Sequence, residues 1–246
     1  MDVIVGIGRW FIDPANWQGP AGVPARVAEH LVLSAASLAL AALLGLAIGL
    51  FVGHTRRGTS VAINLANLGR AFPTLAVMGL VFPVTAAIDN QLGFKVYPAV
   101  AGLVVLAIPP ILVNTYTGIT GVDREVVEAG RANGMRERQV LTMVELPLAV
   151  PAILAGVRSG ASQIIATATL AAIFGGPGLG RYLVEGYAQR NYPMMWAGVI
   201  LVGVLFALVE LGFALLQRGL TPPGVRTGYV LASADHRSGT VRGEAA

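Results

Sequence analysis

The sequence contains no cysteine and little charge. Of its 246 residues, 12% are Asp, Glu, Lys or Arg, whereas soluble globular domains carry about 25%. The absence of cysteine excludes disulfides, thiol catalysis and Cys-ligated metals. The three histidines, at positions 30, 54 and 236, lie far apart and form no metal-binding pattern. We therefore expect neither a soluble domain nor a metal site.

Lysine occurs once, as Lys95, and Phe94 precedes it. The phosphate-binding loop of an ATPase needs consecutive Gly and Lys residues, so this chain has no such loop and we expect no cofactor in it. No convergent set of nucleophile, base and metal ligands predicts an enzyme. The net charge of +4 does not indicate a nucleic-acid partner, because the basic residues stand singly between apolar segments.

Long apolar segments dominate what is present. Hydrophobic residues make up 55% of the chain, and its mean hydropathy is +0.69. The charge-free run from Leu31 to Gly53 is long enough to cross about 30 Å of hydrocarbon. The segment 60–87 contains Arg70, Pro73 and Pro83, which predicts one kinked or broken helix. With three further spans at 96–122, 146–174 and 192–217, we predict an all-α, polytopic membrane protein of about five transmembrane helices.

The distribution of basic residues predicts the orientation. If Arg56, Arg57, the charged loop 123–145 and the tail share one side, that side holds ten Lys and Arg residues against five opposite. The positive side is cytoplasmic, so we predict N-out, C-in. We expect residues 1–28 to be an extracytoplasmic N-terminal segment and 29–218 the transmembrane domain, with a cytoplasmic loop at 120–147. Residues 219–246 are predicted to be a disordered cytoplasmic tail.

Two connecting segments are less regular. Residues 1–28 carry Trp10, Phe11 and Trp17, which suit either an interfacial segment or a loosely ordered leader. The Gly-rich stretch 175–191 is predicted to be a loop. His30 and His54 flank the first span, and we interpret them as interfacial residues.

The cytoplasmic loop carries local helix signals. Asp123 is a favourable N-cap, and Gly134 can adopt the left-handed conformation that ends a helix. A second short helix is predicted at about 136–144, and Pro147 can start the next span. The loop therefore displays two small amphipathic helices between two spans.

The loop also resembles a known motif. Glu128-Ala129-Gly130, three residues, Gly134, nine residues and Val144-Glu145-Leu146-Pro147 are similar to the EAA motif of binding-protein-dependent ABC importer permeases, with Gly130 in place of Ala. The resemblance implies a type I ABC importer permease fold whose loop forms a coupling helix that docks on an ATPase. The residues that it assigns to coupling are Glu128, Ala129, Gly130, Gly134, Leu146 and Pro147.

Other segments resemble one branch of that family. The runs 109–118, 166–172 and 175–180 are similar to permeases for osmoprotectants such as glycine betaine, choline, carnitine or proline. One departure is 69–74, Gly-Arg-Ala-Phe-Pro-Thr, where many relatives have Gln-Thr-Ile-Pro-Ser. The resemblance implies a multi-pass protein of the bacterial plasma membrane, surrounded by lipid, that transports its solute by alternating access. The implied partners are an ATP-binding subunit that hydrolyses ATP, a second permease subunit of the same or a paralogous chain, and an extracytoplasmic solute-binding protein.

Seven residues within the spans are candidates for the translocation path: Arg70, Phe72, Pro73, Asn114, Tyr116, Thr167 and Thr169. Arg70 either lies on the path or its cytoplasmic mouth, or snorkels or pairs with Glu210 or a neighbouring subunit. For any single hydroxyl or amide group among them, the favoured interpretation is a hydrogen bond to its own helix or to a neighbouring helix.

Two alternative functions stay open. One is an ABC importer permease for another small solute such as an amino acid. The other is an ion-coupled secondary transporter, for which Glu210 is the one candidate carboxylate.

Overall fold

The computed structural model describes residues 2–89 and 91–220, and this part of the chain contains helices and no strands. The α-helices are α1 Asp2–Ile12, α2 Val23–Thr55, α3 Thr59–Ala71, α4 Thr74–Ile88, α5 Leu92–Lys95, α6 Tyr97–Thr120, α7 Arg124–Ala132, α8 Glu137–Val140, α9 Leu146–Thr167, α10 Gly180–Ala188 and α11 Tyr192–Leu220. Two 3₁₀ segments, Pro14–Trp17 and Ala168–Phe174, and a π-helical turn, Leu141–Glu145, complete them. The predicted all-α class is confirmed. The predicted disordered tail lies, from residue 221 on, outside the described residues.

Four helical segments are long and apolar enough to cross a membrane: Val23–Thr55, Leu92–Thr120, Glu137–Phe174 and Tyr192–Gly219. The helices α3 and α4 meet the same test together, but they are bent by 91° at their junction. At that junction Phe72 is extended, with φ −78° and ψ 123°, because the ring of a following proline disfavours helical backbone. The segment predicted as kinked or broken is therefore broken, and it gives a fifth span if the pair crosses together.

Helix α6 forms the centre of the bundle and packs against α2 on one side and α9 on the other. Glycines make the close approach of α2 possible. A Cβ at Gly49 would lie 2.7 Å from Cβ of Thr115, and one at Gly53 would lie 2.9 Å from Cβ of Ile119. Small residues of this kind allow helices to pack closely where lipid provides no hydrophobic driving force.

The N-terminal residues are ordered. Residues 2–12 form α1, which packs against α11, so they are not a loose leader. Trp10 is buried and contacts Tyr182 edge to face, with ring centroids 5.3 Å apart. Helix α2 already begins at Val23, so the predicted boundary at residue 29 falls inside it.

One further prediction is wrong. The stretch 175–191 is not a continuous loop, because it contains the helix α10.

His30 is packed inside the bundle. Its side chain is fully buried, and its Nε2 lies 3.0 Å from the carbonyl oxygen of Ile165. Its position at the membrane interface stays a prediction.

Candidate functional site

The coupling loop, residues 120–147, begins with α7. Asp123 caps this helix as predicted, since its Oδ1 accepts a hydrogen bond from the backbone N–H of Glu125 at 2.9 Å. Gly134 has φ +82° and follows the helix end, as expected of a left-handed C-terminal residue. The backbone N–H groups of Gly134 and Met135 bond back to Arg131 and Gly130.

Helix α7 has an exposed and a buried face. Glu128 and Ala129 are exposed, whereas Val127 and Gly130 are buried. A Cβ at Gly130 would lie 3.4 Å from Sδ of Met135 and 3.7 Å from the nearest Val144 atom, which is ordinary contact. The site therefore accommodates the Ala that the motif usually has there.

The second half of the loop is helical throughout. Helix α8 continues through the π-helical turn Leu141–Glu145 into α9, which begins at Leu146 with Pro147 in its first turn, as predicted. No non-helical residue separates the predicted second helix from this span. Pro147 lacks an N–H, and its ring clashes with the carbonyl four residues back in a regular α-helix. A wider, π-helical turn lies immediately before Pro147, with the Leu146 N–H bonded to the Leu141 carbonyl. This turn accommodates the proline ring, so the helix continues.

Four ionisable side chains connect the loop to the transmembrane helices. Arg131 on α7 donates two hydrogen bonds to Glu137, at 2.9 and 3.0 Å. An Oε atom of Glu137 lies 3.3 Å from Nε2 of His54 at the end of α2. Nδ1 of His54 lies 2.5 Å from Oε2 of Glu145. We call Arg131, Glu137, His54 and Glu145 the coupling network.

The coupling network contains one buried member. Glu145 is 3% exposed, whereas Arg131 and Glu137 are open to solvent. The hydrogen bonds that Arg131 donates to the Glu137 carboxylate raise the pKa of Arg131. Sequence reasoning missed this network because His54 and Glu145 are 91 residues apart, and no local pattern relates them.

The coupling residues assigned by resemblance fall into two groups. Glu128, Ala129, Gly134 and Pro147 are exposed, while Gly130 and Leu146 contribute to packing beneath them. Two apolar side chains in the same loop, Val126 and Met143, are also exposed, at 45% and 63%. Neither residue belongs to the motif, so only the structure identifies them as part of the exposed surface of the loop.

The candidate path residues lie in three places. Arg70, Phe72 and Pro73 are exposed at the break between α3 and α4. Asn114 and Tyr116 are half-buried on α6. Thr167 is the last residue of α9, and Thr169 lies in the 3₁₀ segment that follows it. Among the described residues no hydrogen bond or ion pair joins these three groups. Their place on a path stays a prediction.

Several of the polar groups bond to their own helices. Asn114 Nδ2 donates to the Pro110 carbonyl at 2.8 Å, and Thr169 donates to the Ala166 carbonyl at 3.0 Å. Thr115 and Thr117 bond in the same way. This is the back-bonding that polar residues adopt within spans.

Comparison with known proteins decides the family. Residues 26–222 match the family of binding-protein-dependent transport system inner membrane components. The chain belongs to this family. As an inner membrane component of an ABC importer it is a permease subunit and not an enzyme, and its family implies an ATPase and a substrate-binding protein as partners.

Curated relatives agree with the assignment. The permease is 33% identical to the choline transport system permease protein OpuBB of Bacillus subtilis over 80% of this chain and 88% of that protein. It is 31% identical to the glycine betaine/carnitine/choline transport system permease protein OpuCB of the same organism, over 82% and 89%. The osmoprotectant import permease protein OsmW of Salmonella typhimurium is 31% identical, over 80% and 91%.

A solved structure confirms the fold. The permease matches the inward-facing MetNI methionine ABC transporter with a TM-score of 0.73 and 22% identity, over 85% of this chain and 99% of that chain. The predicted type I ABC importer permease fold is therefore confirmed.

One ion pair of the permease settles the partner of Glu210. Arg158 on α9 donates from Nε to Oε2 of Glu210 on α11 at 2.7 Å, and Ser162 donates to its other oxygen. The predicted alternative of an Arg70–Glu210 pair is therefore wrong. Glu210 is therefore held by side chains of α9.

Proposed function

We propose that this permease translocates a small osmoprotectant, such as glycine betaine, choline, carnitine or proline, by alternating access. The support comes from the names of relatives that share about a third of their residues over four fifths of the chain. ATP is hydrolysed in the partner ATPase, and the permease contributes contacts that differ between inward- and outward-facing states.

The observation that carries the coupling role is the connection between the exposed face of α7 and the membrane helices. Glu128 and Ala129 form the surface on which the ATPase docks. Movement of α7 is transmitted by Arg131 to Glu137, and from there by His54 to the end of α2. Glu145 holds the same histidine from the start of the α9 segment. One displacement of the loop thus acts on two transmembrane segments.

The orientation N-out, C-in follows from the same assignment. An ATPase is cytoplasmic, so the coupling loop faces the cytoplasm and the N-terminus of α2 faces outward. The distribution of basic residues supports this orientation, because Arg56 and Arg57 directly follow α2 on the side assigned to the cytoplasm.

A second permease subunit completes the path. Four or five spans enclose only part of a translocation pathway, and symmetric pairing of two copies is the commonest solution. The broken segment α3–α4 exposes apolar side chains that suit lipid and a partner subunit, including Leu65, Leu68, Phe72 and Leu80. Arg70 lies beside this break, where a partner or an aqueous path can solvate it.

Reconstitution tests the proposal. The permease, its ATPase and its binding protein are placed in liposomes, and ATP-dependent uptake of labelled glycine betaine, choline, carnitine and proline is measured. We expect uptake of at least one of them, and at least a tenfold loss for Glu128→Lys, since reversal of this charge opposes docking. Glu125→Lys, at an exposed position of the same helix outside the motif, serves as the matched control.

Three results would contradict the proposal. Uptake of an amino acid other than proline, with no osmoprotectant uptake, would replace the substrate class. Uptake driven by an ion gradient without ATP would favour a secondary transporter. Normal uptake by Glu128→Lys would remove the coupling role of α7.

A further inference from the structure

A polar pocket of about 490 Å³ lies at the end of the bundle far from the coupling loop. Its lining includes Arg26, Glu29, Gln91, Lys95, Gly176 and Arg181, and we call it the distal pocket. On α2, 28 residues separate Arg26 from His54 of the coupling network, which at the helical rise corresponds to about 42 Å. The two sites therefore belong to opposite membrane faces.

Three segments of the chain build the distal pocket. Gly176 packs against the backbone before α6, since a Cβ there would lie 2.6 Å from the carbonyl oxygens of Lys95 and Ala171. Residues 175–178, which we call the glycine loop, are also held by α2, because Oε2 of Glu29 accepts a hydrogen bond from the Gly178 N–H at 2.9 Å. Only glycine allows this close approach, so the loop fixes the position of Lys95 relative to α2.

The turn before Lys95 is fixed as well. Oδ1 of Asp89 accepts hydrogen bonds from the backbone N–H groups of Gln91 and Leu92, at 2.6 and 2.8 Å. These bonds lower the pKa of Asp89. They start α5, whose last residue is Lys95, so the lysine projects from an anchored turn.

The charges in the distal pocket do not balance. Arg26, Lys95 and Arg181 contribute three cations, and Glu29 contributes one carboxylate. Arg26 pairs with Glu29 at 2.9 Å, and Arg181 pairs with Glu185 on its own helix. The exposed Lys95 side chain makes no hydrogen bond or ion pair with any described residue. The Nε atoms of Arg26 and Arg181 are buried without a hydrogen-bond partner.

We propose that the distal pocket is a subsite for the carboxylate of a zwitterionic solute, bound by Lys95 with support from Arg26 and Arg181. This inference rests on the proposed function and refines its substrate class. Lysine and arginine form charge-assisted hydrogen bonds with carboxylates. None of the described lining residues is aromatic, so the pocket offers no cation–π cage for a quaternary ammonium. It therefore distinguishes glycine betaine, carnitine and proline, which have a carboxylate, from choline, which has none.

Absence of native cysteine makes a direct test possible. Gln91→Cys places the only thiol at the distal pocket, and Gln189→Cys places it on an exposed position outside the pocket lining. The permease–ATPase complex is reconstituted without binding protein, and the rate of labelling by a small maleimide is measured with glycine betaine, proline, choline or no solute.

We expect glycine betaine and proline to slow labelling of the thiol at position 91 at least threefold, and choline to leave the rate unchanged. Lys95→Met should abolish this protection, while Lys95→Arg should retain it. The thiol at position 189 should react at the same rate in all of these conditions and backgrounds, which shows that neither the solutes nor Lys95→Met changes maleimide labelling in general.

Several outcomes would overturn the subsite: no protection by any solute, equal protection by choline, or protection that survives Lys95→Met. Uptake of labelled osmoprotectants by the complete complex is measured in parallel. Uptake without carboxylate-specific protection rejects the subsite alone. Protection by proline without uptake of any osmoprotectant rejects the proposed substrate class and leaves the carboxylate subsite standing.

Discussion

His54 holds two carboxylates from different parts of the coupling loop, and one of them, Glu145, is buried. Removal of the imidazole leaves that carboxylate without its partner. We expect His54→Ala to lower the free energy of unfolding by about 2 kcal/mol, the scale for a buried group left unsatisfied. Reversible unfolding of the purified protein in mixed detergent micelles measures this change.

A double-mutant cycle isolates the interaction energy between His54 and Glu145 from the other effects of each substitution. Because His54 and Glu145 touch, the loss in His54→Ala/Glu145→Gln should be smaller than the sum of the single losses, by about 1 kcal/mol or more. The exposed pair Arg124–Glu128 is the control, and its coupling energy should be about 0.5 kcal/mol or less. Additive losses for His54 and Glu145 would contradict the network.

Gly134 is a second position where one residue decides local structure. Gly and Asn adopt its φ of +82° more readily than other residues do. A Cβ at this position would have no atom within 4 Å. We expect Gly134→Val to cost about 1–2 kcal/mol and to impair uptake, because the cost is backbone strain and not crowding. Gly134→Asn should keep most of the activity, and an equal loss in both variants would show that the side chain itself blocks docking.

For individual residues, the sequence predicts those features that depend only on nearby positions along the chain. The Asp123 cap and the Gly134 turn were predictable because each acts within three or four residues of its own position. The pairs His54–Glu145 and Arg158–Glu210 were not, because they join helices distant in sequence. The Lys95 site depends on three separate segments and was also invisible.

Among the described helices, α2 and α6 share the most extensive contact, and the glycines of α2 lie in it. Gly49→Val should overpack this contact and reduce stability by about 1–3 kcal/mol, because its Cβ would lie 2.7 Å from Cβ of Thr115. Gly203→Val, on the outer side of α11 with nothing within 4 Å, is the matched control. Thermal melting in detergent compares the two, and an equal loss of stability would contradict the packing argument.

Helix positions were predictable where a charge-free run is longer than the hydrocarbon thickness, as in α2 and α6. The break at Pro73 was predictable from the proline. The continuity of α8 with α9 was not, because whether a non-helical break or a π turn precedes Pro147 depends on tertiary packing at Val140 and Glu145, both buried.

The orientation of the whole molecule can be measured by cysteine labelling. We expect Gln189→Cys to react with a membrane-impermeant maleimide in intact cells, and Arg57→Cys to react only after permeabilisation. Both positions are exposed, and the native chain contributes no thiol background. The reverse pattern would show that the N-terminal end of α2 faces the cytoplasm.

Helix α2 has a mechanical consequence for the complete transporter. It has no proline after its first turn, and it extends from Glu29, which holds the glycine loop of the distal pocket, to His54 in the coupling network. A straight helix of 33 residues is about 50 Å long, so a tilt of about 5° about one end moves the other end by about 4 Å. Under the proposed coupling mechanism, a small rotation imposed on α2 at the ATPase would therefore become an ångström-scale displacement at the opposite membrane face.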